Sequence, residues 1–342
     1  MRLFIHASNV HQGGGAVLLN DLLLNIPSHI AVVAHVDRRM NLPVKLADNV
    51  YIEKVEPTII GRLAAERSLT ISVSHNDRVL CFGNLPPLFK LKGMVTVFIH
   101  NRYLVDEDAK LRPLSLKLQL RLFLERLWLM LRRSNADKFI VQTRTMGTLL
   151  QNALGVSAFC KPFFTCDWQR ARGPSHKKKG TFDFIYVASG EQHKNHLMLF
   201  EAWALLADNG FFPSLILTLC PEKNVKLLKD LESKVHEKKL RIINKGNLEL
   251  SEIQKLYSQT DSLIYPSRFE SFGLPLLEAK SMGLAVLASE LDYVRDVIEP
   301  EQTFDPSSAI SIARAVARFR GYQVFNDKNS MDVKSFLSVV FG

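Results

Sequence analysis

Cysteine is scarce in this chain, and its spacing suits neither metal binding nor redox chemistry. The 342 residues contain four cysteines, and none of them forms a CxxC pair. Sparse cysteines without that spacing are typical of free thiols in a reducing compartment. The sequence therefore argues against a zinc site, a disulfide framework and a thiol oxidoreductase.

Long apolar runs are missing as well. No uninterrupted apolar run approaches the roughly 18 residues that a membrane-spanning helix needs. The apolar start at 3–5 passes directly into the polar residues 6–9, which leaves too short a segment for a signal peptide. We therefore expect a cytoplasmic protein.

Length and composition indicate a globular protein of two ordinary domains. Hydrophobic residues make up 47% of the 342 residues and charged residues 23%. The net charge of +10 favours an anionic partner, such as a nucleotide, an acidic membrane surface or a nucleic acid. Because no basic stretch is interleaved with aromatic residues, we expect no nucleic-acid partner.

Short apolar runs alternate with helical patterns along the chain, and the alternation restarts after residue 180. This pattern predicts an α/β protein with two Rossmann-like domains of mostly parallel sheet that face each other across a cleft. The predicted domains are 1–172 and 173–325, followed by a C-terminal helix within 326–342, and the polar stretch at 165–180 is the expected linker. The predicted strands are 3–7, 30–36, 78–82, 94–99 and 137–143 in the first half, and 182–188, 214–219, 240–243, 262–265 and 284–289 in the second.

A glycine-rich loop follows the first predicted strand. Gly13, Gly14 and Gly15 lie between that strand and a helical pattern that starts near residue 16. This order is typical of the first unit of a nucleotide-binding fold, but the spacing matches neither GxGxxG nor a P-loop, so a dinucleotide oxidoreductase is disfavoured. Two interpretations stay open: a loop that passes close to a substrate, or a tight turn.

A histidine ends the predicted strand at 94–99. His100 is followed by Asn101 and Arg102, so an imidazole, an amide and a guanidinium are expected at the carboxyl end of one strand. Ligands of open α/β sheets bind at that edge. His100 is therefore a site candidate by position, and a purely structural histidine is the alternative.

The strongest amphipathic pattern covers 114–133. Apolar and basic residues alternate there at helical spacing. Such a helix can contact an anionic membrane surface through residues 110–133, and a core helix with a basic solvent stripe fits the same pattern. The apolar positions are Leu116, Leu120, Phe123, Leu124, Leu127, Trp128 and Leu131, and the basic ones are Lys117, Arg121, Arg126, Arg132 and Arg133.

Two glutamates stand close together in the second half, around a predicted helix start. The predicted strand at 262–265 ends at a proline, so Glu270 is expected on the loop at the carboxyl edge of a sheet. Pro275 suits the first position of a helix over 276–282, which places Glu278 near the end of its first turn.

Around these glutamates the backbone is suited to a polar ligand. Gly273 lets a ligand approach closely, and the first-turn N–H groups are available to it. Two carboxylates repel phosphate and suit the vicinal hydroxyls of a sugar instead. For each glutamate alone, a solvated acid or a charge that stabilises a helix N-terminus is the alternative.

A polar loop at 189–196 joins the strand at 182–188 to the helix that follows. Lys194 is therefore expected beside a helix N-terminus at the carboxyl edge of the sheet, where its charge can balance a diphosphate. A solvent-exposed lysine without a ligand is the alternative.

Taken together, these motifs resemble the donor half of family 4 glycosyltransferases. The shared features are SGEQHKN at 189–195, YPSRFESFGLPLLEA at 265–279 with its E-x7-E pair, AVLAS at 285–289 and FDP at 304–306. The resemblance implies the GT-B fold, with an acceptor-side first domain, a donor-side second domain and a C-terminal helix that crosses back to the first.

The resemblance also implies roles for the candidate residues. Glu270 would contact the transferred sugar, Glu278 would hold the ribose, and Lys194 would neutralise the departing diphosphate. The implied catalytic residues are Glu270, Lys194 and His100, the implied donor-binding residues are Ser189, Phe272, Gly273, Leu274 and Glu278, and the implied acceptor-side loop is Gly13, Gly14 and Gly15.

The implied reaction is retaining transfer of a sugar from a nucleotide-diphosphate donor to a hydroxyl of a glycan or a lipid-linked acceptor. Lipopolysaccharide, O-antigen, capsule or exopolysaccharide assembly at the cytoplasmic face of the inner membrane is the expected setting. The family needs no metal or other cofactor. A DxD match at Asp106-Glu107-Asp108, which holds a cation in another class of sugar transferases, is accordingly interpreted as charge at a helix start.

One departure from the family pattern concerns residue 189. The family has an arginine about five residues before the lysine, and Ser189 stands there in this sequence. Arg268 and Arg102 are the candidates to supply the missing charge. The departure keeps a non-catalytic nucleotide-sugar-binding scaffold subunit open as an alternative. A GT-B-like nucleotide-sugar epimerase is a further alternative.

Overall fold

The computed structural model describes residues 1–107, 109, 115–164, 180–322 and 333–341. These residues form two compact units. The first contains the described residues of Met1–Ala171 together with Phe269–Glu278 and Asp292–Ile298, and the second contains the remainder. The predicted linker and the predicted boundaries near 172 and 325 lie outside the described residues, so those boundaries stay predictions.

The first unit is built on a seven-stranded parallel sheet with the strand order β3-β2-β1-β4-β5-β6-β7. The chain therefore reverses its direction of winding between β1 and β4, and this switch point is where open α/β sheets bind ligands. The strands are β1 Arg2–Ala7, β2 Ala31–Asp37, β3 Val50–Val55, β4 Arg78–Cys81, β5 Met94–Ile99, β6 Lys138–Val141 and β7 Phe159–Cys160.

The second unit contains a six-stranded parallel sheet with the order β10-β9-β8-β11-β12-β13. Its switch point lies between β8 and β11. The predicted α/β class with two Rossmann-like sheets is confirmed. The strands are β8 Phe182–Tyr186, β9 Leu215–Leu217, β10 Ile242–Asn244, β11 Thr260–Tyr265, β12 Ala285–Ser289 and β13 Gln302–Phe304.

Helices connect the strands, and polar side chains begin several of them. Thr58, Ser115 and Ser308 each accept a hydrogen bond from a backbone N–H in the first turn of the helix that follows, which satisfies one of the unpaired donors there. The helices are α1 Gly13–Leu24, α2 Ile59–Ser72, α3 Leu116–Arg132, α4 Arg144–Leu154, α5 His196–Asp208, α6 Val225–Lys238, α7 Leu250–Ser258, α8 Leu274–Ser281, α9 Asp292–Arg295, α10 Ala309–Arg320 and α11 Val333–Phe341.

The sequence-based element bounds differ from the structure in a few places. Each predicted strand overlaps an observed one, whereas β3, β7 and β13 were not predicted. β3 buries only its last residue, and β7 and β13 are two and three residues long, so none of them carries a strong apolar pattern. The helix predicted over 276–282 begins at Leu274 instead, so Pro275 occupies its second position.

The core of the first unit lies on both faces of its sheet. Alternate residues of a strand point to opposite faces, and consecutive Phe4 and Ile5 accordingly belong to different clusters of buried side chains. The cluster around Ile5 also contains Phe272 and Leu274, which come from the glutamate-containing motif. That motif is therefore anchored in the core of the first unit.

Candidate functional site

The glycine loop of the first unit lies against His100. A Cβ atom on Gly15 would stand 2.7 Å from the Cε1 atom of the imidazole, closer than such atoms approach. Gly13 has a φ of +67°, a backbone conformation that favours glycine. Close approach to the histidine explains a glycine at position 15, so the loop is more than a tight turn.

His100 is held in one orientation by the segment that follows β4. Its Nε2 atom lies 2.9 Å from the carbonyl oxygen of Phe82, which can only accept a hydrogen bond, and 3.2 Å from Nδ2 of Asn84, which can only donate one. The shorter contact assigns the proton to Nε2. Its backbone N–H donates to Oδ1 of Asn84 at 2.6 Å, and the N–H of Asn101 donates to the same oxygen at 2.9 Å. Asn84 therefore fixes the end of β5.

Burial determines the charge of this histidine. Loss of hydration lowers the pKa of His100 to about 4, although its hydrogen bond to the Phe82 carbonyl acts in the opposite direction. The imidazole is consequently neutral at pH 7. With the proton on Nε2, its Nδ1 atom is an acceptor on the side where Gly15 passes.

The backbone around Gly273 is shaped by two buried neighbours. Phe272 and Leu274 are 6% and 9% exposed and pack in the same cluster as Val10, while Gly273 between them has a φ of +82°. The Cδ1 atom of Leu274 would be 3.5 Å from a Cβ atom on Gly14. The motif and the glycine loop are therefore in contact.

The two glutamates differ in their surroundings. Glu270 is partly exposed on the loop after β11, as predicted, whereas Glu278 on α8 is buried with 8% exposure. A buried carboxylate is costly unless hydrogen bonds compensate it. Glu278 is therefore more than a surface charge at a helix N-terminus.

Lys194 lies at the switch point of the second unit. It ends a short 3-10 turn, Gln192–Lys194, and its carbonyl oxygen accepts a hydrogen bond from the hydroxyl of Tyr186 at 2.7 Å. Asn195 follows with a φ of +65°, and His196 then begins α5. The lysine is partly exposed just before the helix, as the sequence predicts.

Asn195 connects this turn to two further loops at the same sheet edge. Its Nδ2 atom donates to the carbonyl oxygens of Pro266 at 3.1 Å and Pro306 at 2.7 Å, which follow β11 and β13. The backbone N–H of Arg268 donates to the carbonyl oxygen of His193 at 2.8 Å. Residues 193–195 and 266–268 are therefore held together.

The residue at position 189 supplies no cation. Ser189 is exposed, and its hydroxyl donates to the carboxylate of Glu191. Arg268 is also exposed, and its Nη2 atom lies 3.3 Å from the carbonyl oxygen of Pro306. Of the two arginines considered as substitutes, Arg268 is the one that lies beside the Lys194 turn.

Arg102, the other candidate, is engaged by carboxylates. Its guanidinium pairs with Asp292 and with Asp106. This corrects the interpretation of the DxD match, because Asp106 pairs with Arg102 and the first turn of α3 contains no acid. Asp108 lies outside the described residues. Within the described part of the chain, no group of three His, Cys, Asp or Glu side chains could hold a metal ion.

The amphipathic helix α3 exposes most of its apolar residues. Only Leu122 and Leu129 are buried, and neither was among the apolar positions singled out from the sequence. The interpretation as a core helix with a basic solvent stripe is therefore wrong for most of those positions. Among the described residues, no helix is long and apolar enough to cross a membrane. The exposed apolar side chains are Leu116, Leu118, Leu120, Phe123, Leu124, Leu127, Met130 and Leu131.

Some site residues were not recognised from the sequence. Asn84, at a φ of +67°, positions His100, and Asp292 binds Arg102. An asparagine three residues after the end of β4 is a signal that left-handed backbone is possible there. An aspartate partner 190 residues away from Arg102 leaves no signal in a single sequence.

The second half of the chain matches a known sequence family. Residues 168–322 match the family described as Glycosyl transferases group 1. The match lies in the half of the chain in which the resemblance was found.

One similar protein is the serotype-specific mannosyltransferase WbdA of Escherichia coli. The two sequences are 30% identical over 169 residues, which cover 47% of this chain and 21% of WbdA. The chain thus spans about a fifth of the length of this relative.

Two solved structures resemble the whole chain. Anabaena Alr3699/HepE in complex with UDP has a TM-score of 0.69 and 15% sequence identity, and the similarity covers 94% of this chain and 90% of that one. The lipopolysaccharide outer core galactosyltransferase WaaB has a TM-score of 0.60 and 16% identity, with 100% and 99% covered. At this identity the similarity establishes the fold alone, and that fold is the GT-B fold.

Proposed function

We propose that this protein is a retaining hexosyltransferase that moves a sugar from a nucleotide-diphosphate donor to a hydroxyl of a glycan or lipid-linked acceptor. One observation carries the proposal. The E-x7-E pair, Glu270 and Glu278, follows the Lys194 turn in the order of that family, inside a glycosyl transferases group 1 domain. The name of WbdA, a serotype-specific mannosyltransferase, supports assembly of a surface polysaccharide as the setting.

The donor's polar groups fit the residues around the two carboxylates. We assign Glu270 to the hydroxyls of the transferred sugar and Glu278 to the ribose, because ionised carboxylates accept hydrogen bonds from vicinal hydroxyls. The positive φ of Gly273 and the burial of its neighbours Phe272 and Leu274 leave backbone groups for sugar or phosphate oxygens. A nucleotide-diphosphate donor is further supported by UDP in the HepE structure.

His100 is assigned to the reacting end of the donor. Its imidazole is neutral, and Nε2 is committed to the Phe82 carbonyl. The Nδ1 atom can therefore accept a hydrogen bond from a sugar hydroxyl, while a second positive charge near the anomeric carbon is avoided. The loop from Gly13 to Gly15 is assigned to the acceptor side.

Catalysis in this scheme depends on the departing diphosphate. The bond from the anomeric carbon to the diphosphate oxygen breaks, the acceptor oxygen takes its place on the same face, and the acceptor proton leaves with the diphosphate. Lys194 and Arg268, joined through the hydrogen bond from Arg268 N–H to His193, are the proposed cations that stabilise this charge. Ser189 contributes to donor binding without a charge. With cations in this place, the reaction is proposed to need no metal or other cofactor.

A peripheral contact with an anionic membrane is part of the proposal. Helix α3 exposes a band of leucine and phenylalanine side chains together with the exposed basic residues Lys117, Arg121, Arg132 and Arg133. Exposed apolar and basic residues on one helix suit the boundary between head groups and acyl chains. The cytoplasmic face of the inner membrane would place a lipid-linked acceptor near the enzyme.

A panel of nucleotide sugars tests the proposal. Thermal stabilisation identifies the donor, because a ligand that binds only the folded state raises Tm. Transfer to an acceptor then distinguishes an enzyme from the second candidate, a scaffold subunit. The serine at position 189 favours this second candidate. Donor binding without transfer or conversion would support the scaffold, and isomerisation of the donor sugar would support an epimerase.

A further inference from the structure

The guanidinium of Arg102 pairs with two carboxylates. Nη1 and Nη2 donate to the two oxygens of Asp292 at 2.8 Å each, and Nε donates to Oδ2 of Asp106 at 2.8 Å. The arginine side chain is 13% exposed and that of Asp106 is 8% exposed. Parallel hydrogen bonds of this kind fix both the distance and the orientation of the partners.

The same arginine contacts the loop that carries Glu270. Nη1 lies 3.4 Å from the carbonyl oxygen of Glu270, and the guanidinium carbon stands over the ring of Phe269 at 4.9 Å. The neighbouring ring of Tyr103 packs on Phe269 with 4.4 Å between ring centroids. Two consecutive residues, Arg102 and Tyr103, therefore hold the residue that precedes Glu270.

The short turn that bears these residues is itself held in place. Arg126 of α3 donates from Nε to the carbonyl oxygen of Tyr103 and from Nη2 to that of Asp106, both at 2.8 Å. Asp296, just after α9, accepts a hydrogen bond from the backbone N–H of Thr145 at 2.9 Å. The Asp292 carboxylate is therefore presented to Arg102 from a segment with a second anchor.

We propose that Arg102 is a positioning residue, which holds the Phe269–Glu270 backbone and thereby sets the place of the Glu270 carboxylate relative to His100. Arg102 follows His100 by two residues in the turn after β5, so the segment that contains the histidine also carries the group that holds the glutamate loop. This role rests on the proposed function of Glu270 and His100. This role does not require Arg102 to contact the donor, since its guanidinium already pairs with Asp292 and Asp106.

A lysine at position 102 would keep the positive charge but lose the planar guanidinium that makes two parallel hydrogen bonds. Lysine presents a point charge and cannot make parallel hydrogen bonds to both oxygens of Asp292 while it also reaches Asp106. A displacement of about 1 Å at a reacting group can cost on the order of 100-fold in rate. We therefore expect Arg102→Lys to lower kcat at least about tenfold and to change the KM for the donor less than about threefold.

Asp292→Asn is the second variant, because it removes the ionic partner and keeps the size of the side chain. The combined Arg102→Lys, Asp292→Asn protein should be no worse than the more impaired single variant, since both changes break one interaction. Arg2→Lys is the matched control. Arg2 pairs with Asp77 at 2.8 Å in the same unit but at the amino end of β1, so kcat should stay within about twofold.

Hydrogen exchange provides a readout that is independent of activity. In Arg102→Lys, the amides of 269–271 and 292–296 should exchange at least about tenfold faster than in the wild-type protein, and the amides of β1 should not change. If these amides exchange faster in Arg102→Lys but the wild-type protein transfers no sugar, the positioning role of Arg102 is upheld and the proposed function is overturned. Unchanged exchange at 269–271, or a lower kcat in Arg2→Lys of the same size, would overturn the role of Arg102.

Discussion

Gly15 and His100 are so close that a methyl group at position 15 would stand 2.7 Å from the Cε1 atom of the imidazole. The ring cannot retreat freely, because its Nε2 atom is bonded to the Phe82 carbonyl and the adjacent backbone to Asn84. The glycine loop and the end of β5 are therefore fitted to each other. This contact joins two features that the sequence shows separately.

Gly15→Ala should displace His100 and lower the transfer rate. Because the imidazole is tethered, we expect a loss of kcat of at least about tenfold and a loss of stability of about 1–3 kcal/mol, as for other overpacked positions. Kinetics and urea unfolding measure the two effects. Gly147→Ala in α4 is the control, since the nearest atom to its Cβ would be 3.7 Å away. It should leave kcat unchanged and raise stability slightly, because alanine favours a helix more than glycine does.

Two histidines with lowered pKa values should make the fold sensitive to acid. Burial lowers the pKa of His100 to about 4 and that of His196 to about 3, whereas both titrate near 6.5 when unfolded. Between these values the unfolded chain binds more protons than the folded one, so stability is present above pH 6.5 and is lost as the pH falls toward 4. Denaturant unfolding at pH 7, 6 and 5 checks this.

His100 should account for part of the fall in unfolding free energy with falling pH. In His100→Gln the fall in unfolding free energy from pH 7 to pH 5 should be smaller than in the wild-type protein, because one of the proton-linked groups is gone. An unchanged slope would mean that His100 is not buried in its neutral form.

Substitutions of the two glutamates should change different kinetic constants. Glu270→Gln keeps the size and removes the charge beside the transferred sugar, so we expect kcat to fall by about 100-fold or more with little change in KM. Glu278→Gln should instead raise the KM for the donor, because a ribose contact serves ground state and transition state alike. Full activity in both variants would remove these residues from the site.

Arg268 and Lys194 should both support the binding of a nucleoside diphosphate. The two backbones are linked through His193, and each charge is expected to stabilise the diphosphate. Lys194→Ala and Arg268→Ala should each weaken the binding of the released nucleoside diphosphate by about 10-fold, with a smaller loss at high salt. Arg241→Ala, an exposed arginine before β10, is the control, and calorimetric titration measures all three.

Membrane association should depend on the exposed band of α3. Leu116→Ser with Leu124→Ser, and separately Lys117→Gln with Arg121→Gln, are expected to release the protein from vesicles that contain anionic lipid. Flotation of vesicles with and without anionic lipid measures this, and Lys226→Gln with Lys229→Gln on α6 is the control. Equal binding by all three double variants would remove α3 from the contact.

The fold was largely predictable because its signals are local. Apolar runs such as 94–99 mark buried parallel strands, and the order of the motifs placed Lys194, Glu270 and His100 at strand ends. The missed β13 is three residues long, and the start of α8 was misplaced because Leu274, rather than Pro275, is its first residue. Short elements and helix ends carry too little sequence signal to be located.

The site was predictable only in part, because its contacts join distant residues. The sequence near Arg102 does not indicate that Asp292 binds it. The sequence near Asp106 suggests a charge at a helix start, whereas its partner is Arg102, four residues earlier in the chain. The pattern of 114–133 showed an amphipathic helix but not which of its apolar residues are exposed. Those properties depend on tertiary packing.

Retaining sugar transfer by this protein is tested most directly by one product analysis. The wild-type protein and Glu270→Gln are incubated with the nucleotide sugar that stabilises the fold and with a lipid-linked glycan acceptor, and the new linkage is assigned by NMR. We expect a glycosylated acceptor whose anomeric configuration matches that of the donor, formed about 100-fold more slowly by the variant. An inverted linkage, or donor binding without any transfer, would contradict it.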